Sequence, residues 1–149
     1  MPLEPGARAP AIRAHTHRGE DVHVPFEEPA VLYFYPRDDT PGCTIEAKQF
    51  ERMRSRFERH DISIYGVSTD DVATHAAFAD EYDLGFALLA DPDGEIARAF
   101  DVEVTKNQTA RTTFVIENGT IEKVYEDVDP DGHAKTVVAD LIEAGIIKE

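Results

Sequence analysis

Val31-Leu32-Tyr33-Phe34-Tyr35 is an unbroken apolar run, and it constrains the fold more than any other stretch. A strand with one wet face alternates apolar with polar residues, whereas five apolar, aromatic or β-branched residues in a row need cover on both faces. Two covering layers around a central sheet mean an α/β architecture. The run passes into the Pro/Gly-rich loop Pro36-Arg37-Asp38-Asp39-Thr40-Pro41-Gly42-Cys43, and a helical pattern follows from Thr44 to about Arg59. Cys43, the only cysteine of 149 residues, then falls in the first turn of a helix. Unpaired N–H groups and the positive end of the helix dipole favour an anion there, and a thiolate is one. A lone cysteine is ordinarily a small buried hydrophobe; this position is instead one where reactive cysteines occur.

Within that helix Glu46, Phe50, Met53 and Phe57 recur at i, i+4, i+7 and i+11, a narrow inward stripe with Cys43 at its edge and Lys48 on the opposite side. Glu46 is the odd member. Either it hydrogen-bonds near the cysteine, since an inward carboxylate needs a partner, or it snorkels to the surface. Arg52, Arg54, Arg56 and Arg59, interleaved with Glu51 and Glu58, read as a solvated face of i,i+4 ion pairs.

Upstream, residues 11–15 and 22–24 flank Arg18-Gly19-Glu20-Asp21 as an N-terminal hairpin. His15 and His17 are expected on one face with His23 across from them. That is short of a metal site, because no Asp or Cys completes a ligand spacing. Downstream, Ile62 to Val67 reads as a second core strand. Ser68 or Thr69 is expected to cap a helix running to Tyr82, with His75 in a structural place on it. Phe86 to Leu89 is a short strand, Asp91 to Gly94 a turn, Glu95 to Phe100 a short helix and Glu103 to Ala110 an irregular surface loop. Thr112 to Ile116 and Thr120 to Tyr125 flank Asn118-Gly119, the strongest short hairpin signal. A helix from Ala134 to Ala144 ends at Gly145.

The length suits one domain, 1–149, with room for a proper core. No apolar run approaches the ~20 residues that span a bilayer, and no secretory segment follows Met1, so a cytoplasmic protein is expected. A formal net charge of -15 disfavours nucleic acid and anionic membranes as partners. Only five of the fifteen cations are lysine, a surface suited to a salt-rich cytoplasm, where screening removes self-repulsion. One cysteine excludes an intrachain disulfide and any Cys-x-x-Cys motif.

The spacing Pro36-x-x-x-Thr40-x-x-Cys43, within Tyr33-Phe34-Tyr35-Pro36 and followed by Thr44-x-Glu46-Ala47-x-x-Phe50, resembles the peroxidatic loop of the peroxiredoxins, in their Q-type or bacterioferritin-comigratory branch. Gly66-Val67-Ser68-Thr69-Asp70 with His75 and Phe78, Leu88 to Asp91, Arg111 to Ile116, and His133-Ala134-Lys135 extend the likeness over nearly the whole chain. The resemblance implies a thioredoxin-like fold, with a mixed central sheet flanked by helices. It also implies a thiol peroxidase that needs no metal, flavin or haem.

Carried over by residue, Cys43 is the nucleophile that attacks a hydroperoxide and becomes a sulfenic acid. Thr40 holds the thiolate and the peroxide through its hydroxyl. Arg111, which alone would read as a surface arginine, donates to sulfur and peroxide oxygen. The N–H groups of Gly42 and Cys43 bind an oxygen, and Pro36 shields the site from water. An ordinary thiol, with a pKa of roughly 8.5, is only a few per cent thiolate at neutral pH, so a nearby cation matters. The branch often has a resolving cysteine five residues on, but here that position is Lys48. Recycling is therefore expected to come from outside, through a low-molecular-weight thiol, a thioredoxin or a glutaredoxin, in a monomer or else a weak dimer. Two other functions fit the same fold: a binding or chaperone module with a vestigial Cys43, and a peroxide sensor that passes oxidation to a partner.

Overall fold

A computed structural model describes residues 2–148 of the chain. Its elements are β1 (Ile12–Thr16), β2 (Asp21–Val24), β3 (Ala30–Phe34), α1 (Pro41–Glu58), β4 (Ser63–Ser68), α2 (Val72–Glu81), β5 (Ala87–Ala90), α3 (Glu95–Ala99), β6 (Val104–Thr105), β7 (Gln108–Thr109), β8 (Thr112–Glu117), β9 (Thr120–Tyr125) and α4 (His133–Glu143). Seven strands make one sheet in the order β2-β1-β5-β4-β3-β8-β9. It is mixed, since β3 pairs parallel with β4 and antiparallel with β8. The mixed sheet and flanking helices are those expected of the chain, and the N-terminal hairpin is the one that residues 11–15 and 22–24 predicted.

The apolar run is covered on both faces, as its composition requires. Val31, Tyr33 and Tyr35 join Phe50, Phe57, Phe78, Val137 and Leu141 in a core under α1, α2 and α4. Leu32 and Phe34 point the other way, to a core with Phe26, Ile96, Phe100 and Phe114. Successive side chains of a strand alternate between faces, so β3 contributes to both cores and fixes the middle of the molecule.

Four expectations need correction. The helix α1 begins at Pro41 rather than Thr44; proline suits the first helical position, where its missing N–H costs no bond. The helix α2 is capped by Asp71, whose side chain accepts from the Thr74 N–H at 2.8 Å, and not by Ser68 or Thr69. Residues 103–110 are a small hairpin, β6 against β7, with Lys106 and Asn107 both at positive φ in its turn. Lastly, His15 and His17 do not share a face. His15 is exposed on β1, whereas His17 lies past the end of the strand and is buried. There its Nδ1 accepts from the Leu88 N–H at 3.2 Å, while its own N–H donates to the Leu88 carbonyl at 2.9 Å.

Candidate functional site

Strand register brings the site together. In the antiparallel pair β3–β8, Phe34 lies opposite Thr112. The chain leaving β3 toward Cys43 thus runs beside the residue entering β8, Arg111. Cys43 is the third residue of α1 and is 1% exposed. The Arg111 guanidinium spans two acceptors, with Nη2 donating to Cys43 Sγ at 3.3 Å and Nη1 to Glu46 Oε1 at 3.0 Å. Glu46 is one turn along the helix and as buried as the cysteine. Of its two readings, the structure selects the buried, hydrogen-bonded one.

A guanidinium shared by two acids is placed to stabilise negative charge developing nearby. Burial pushes the Glu46 carboxyl up to about 7, although its ion pair with Arg111 pulls the other way. Glu46 Oε2 and the Tyr33 hydroxyl have no hydrogen-bond partner, and they are the only such buried side-chain atoms among the described residues.

Gly42 acquires a structural reason. A Cβ at this position would stand 2.7 Å from Arg111 Nη2 and 3.3 Å from Pro130 Cγ. The residue before the cysteine must therefore lack a side chain for the guanidinium to reach the sulfur. Pro130 packs here from the segment ahead of α4, which is tied to α1 by Gln49. The Gln49 amide donates to Asp131 Oδ1 at 2.8 Å and accepts from the Gly132 N–H at 2.6 Å.

Thr40 is the N-cap residue of α1, but its hydroxyl makes no capping bond. It donates to the Arg37 carbonyl at 3.0 Å. With its proton so placed, its oxygen offers lone pairs to an approaching O–H rather than a donor to the sulfur. The N–H groups of the first turn, Gly42 and Cys43 among them, are not taken up by that side chain. Pro36 is half-buried at the end of β3. Lys48 stands on the outer face of α1, 5.6 Å above the Tyr82 ring.

A second cluster, which the sequence did not disclose, holds the loop ahead of the cysteine. The Tyr35 hydroxyl donates to Asp38 Oδ1 at 2.5 Å, and His75 Nδ1 lies 2.5 Å from Asp38 Oδ2. His75 Nε2 donates to the Leu89 carbonyl at 3.0 Å. Asp70 Oδ2 accepts from the Asp38 N–H and from the Ser68 hydroxyl, both at 2.7 Å. Asp38, Asp70 and His75 are the one group among the described residues with metal-ligand spacing, but Asp38 and His75 already bond to each other. The three hairpin histidines do not form such a group. Sequence flagged His75 as structural; Asp38, Gln49 and Pro130 carried no periodic or motif signal.

A model of the AhpC/TSA family matches residues 5–124. A putative peroxiredoxin bcp of Coxiella burnetii is 38% identical over 95% of this chain and 100% of its own length. Peroxiredoxin Bcp of Bacillus subtilis is likewise 38% identical, over 95% of this chain and 96% of its own. Among solved structures, a cysteine-to-serine mutant of Xylella fastidiosa PrxQ superposes with a TM-score of 0.89 at 26% identity, covering 96% of this chain and 98% of that one. The bacterioferritin comigratory protein of Xanthomonas campestris superposes with a TM-score of 0.84 at 31% identity, covering 91% and 92%.

Proposed function

The chain belongs to the AhpC/TSA family, in its Bcp/peroxiredoxin Q branch, and from that premise we propose that it reduces hydroperoxides with Cys43 as its one redox residue. The observation that carries this reading is the 3.3 Å hydrogen bond from Arg111 Nη2 to the sulfur of the only cysteine. The Cys43 thiolate attacks the nearer peroxide oxygen, the O–O bond breaks, and the leaving oxygen takes a proton. The sulfur becomes a sulfenic acid and the peroxide an alcohol or water.

Arg111 holds the thiolate and steadies the charge that moves to oxygen. Thr40 accepts from the peroxide O–H, the first-turn N–H groups of Gly42 and Cys43 face the leaving oxygen, and Pro36 keeps water from the sulfur. No step in this sequence calls on a metal or an organic cofactor.

Recycling needs thiols from outside. One external thiol condenses with the sulfenic acid, releasing water and leaving a mixed disulfide on Cys43; a second attacks that disulfide and frees the cysteine. The external thiol is a small thiol, a thioredoxin or a glutaredoxin, acting on a monomer in the cytoplasm. No helix among the described residues is long and apolar enough to cross a membrane.

The test is peroxide treatment followed by mass spectrometry. With a thiol present, one thiol adduct should appear at Cys43, and peroxide should be consumed over many turnovers. Without thiol, the residue should advance to the irreversible sulfinic acid. Many turnovers with no thiol or reductase present would sink the one-cysteine mechanism. The burial of Cys43, 1% exposed, favours a second reading as a peroxide sensor, since little of the sulfur is open to a reductant; a sensor would stall after about one turnover.

A further inference from the structure

Three groups meet at the sulfur with room for one net balance of charge: Cys43, Glu46 and Arg111. Two acids share one guanidinium, through Nη2 to Sγ and Nη1 to Glu46 Oε1. Both are 1% exposed. With thiolate and carboxylate both ionised, the buried site would carry one uncompensated negative charge, which is costly away from water. With one of the two protonated, the site is neutral. Groups this close titrate as a pair rather than singly. Glu46 is also the acid with an unused oxygen, because Oε1 takes the Arg111 bond and Oε2 is buried without a partner.

We propose that Glu46 holds a proton at rest while Cys43 is the thiolate, and releases it when the sulfur is oxidised, making Glu46 the proton store of the site. This inference rests on the reading of Cys43 as a peroxide-reducing thiolate. At rest the site contains S⁻, the Arg111 cation and a neutral carboxyl. After attack it contains a neutral sulfenic acid, the same cation and a carboxylate, so its net charge is zero both before and after. The sulfur loses two electrons to the O–O bond. The leaving oxygen takes one proton as it departs, and the proton given up by Glu46 balances it. Oxidation removes the competitor for Arg111, and the guanidinium then draws the proton off Glu46.

The surroundings agree with this. The groups that face Glu46 are Arg111, from the segment ahead of β8, Cys43, from its own helix, and Tyr33, from β3. The Tyr33 hydroxyl is pushed well up by burial first and by the charge of Glu46 second, and stays protonated. His133, from α4, packs edge-on against Phe50, 5.8 Å between centroids; burial lowers its pKa to about 4, so it is neutral at pH 7. The Glu46 carboxyl itself is pushed up to about 7, first by burial.

The test counts protons. Reduced protein in weak buffer just below pH 7 is mixed with one equivalent of hydrogen peroxide beside a pH indicator dye, and loss of the free thiol is measured in the same sample. Wild type should lose one thiol with close to zero net proton uptake, and Glu46→Gln should lose one thiol with close to one proton taken up. Equal uptake in the two proteins, whether near zero or near one, overturns the proposal and leaves the peroxidase reading intact. Failure to lose the thiol overturns the peroxidase reading itself. A resting thiol beside an ionised Glu46 would give the same proton counts, so infrared difference spectra of wild type decide which acid holds the proton, whether or not the variant folds. The C=O band of a protonated carboxyl should disappear on adding peroxide and return with reductant; an unchanged carboxyl region overturns the proposal.

Discussion

Two buried polar clusters are centred on Asp38 and Cys43, near each other along the chain, and they are finished to different degrees. Around Asp38, both carboxylate oxygens, both ring nitrogens of His75 and the Tyr35 hydroxyl have partners. Around Cys43, Glu46 Oε2 and the neighbouring Tyr33 hydroxyl have none. Buried polar atoms are nearly always satisfied, and each exception calls for an explanation. A complete network locks a conformation; an incomplete one keeps donors and acceptors for something that arrives or changes. The Asp38 cluster is thus suited to holding the loop, and the Cys43 cluster to the chemistry proposed for it.

The comparison predicts different losses. Arg111→Met should slow peroxide reduction by about 10³, the scale of losing a preorganised donor to developing charge, with a smaller loss of denaturation midpoint from leaving the buried Glu46 Oε1 without its donor. Stopped-flow peroxide kinetics together with a urea curve would check this, and an unchanged rate would remove Arg111 from the site. His75→Gln should do the reverse. Leaving the buried Asp38 without one of its hydrogen-bond partners costs about 1–3 kcal/mol, read as a lower urea midpoint, while the rate measured on folded protein stays within roughly tenfold.

Glu46→Gln sharpens the contrast through pH. A carboxyl raised from 4.5 to about 7 on folding contributes stability that is full below pH 4.5 and lost as pH rises through about 7, on the order of 3 kcal/mol. The glutamine variant lacks that titration. Its stability relative to wild type should grow across that window, which denaturation curves at several pH values would show. The smallest expected effect is that of Gly42→Ala. Its methyl group would displace the guanidinium from a site where ångström shifts cost about 10² in rate, and peroxide kinetics at unchanged stability are the measure.

Sequence disclosed what is local. The β3–loop–α1 unit, the Asn118-Gly119 hairpin and the inward face of α1 follow from periods and turn residues within a few positions of each other. Arg111 is 68 residues from Cys43 and 65 from Glu46, a contact made by the β3–β8 register, and only the family resemblance placed it. Glu46 was legible as a carboxylate on an apolar stripe, but its partner was not. The strands β6 and β7 have two residues each, too few to show alternation, and their turn relies on positive φ at Lys106 and Asn107. His17 escaped because the alternation of β1 stops one residue before it.

The order of residues along the chain also sets when the sulfur becomes reactive. Cys43 emerges early in synthesis, whereas Arg111 and Pro130, which close around it, and α4, which packs beside α1, come from the last third. Domains fold as units once their parts are available. Until that last third is made, the nascent thiol has neither its guanidinium nor its buried carboxyl and behaves as any unpaired cysteine. The reactive centre is thus assembled last, and an incomplete chain carries a thiol without the means to spend itself on peroxide.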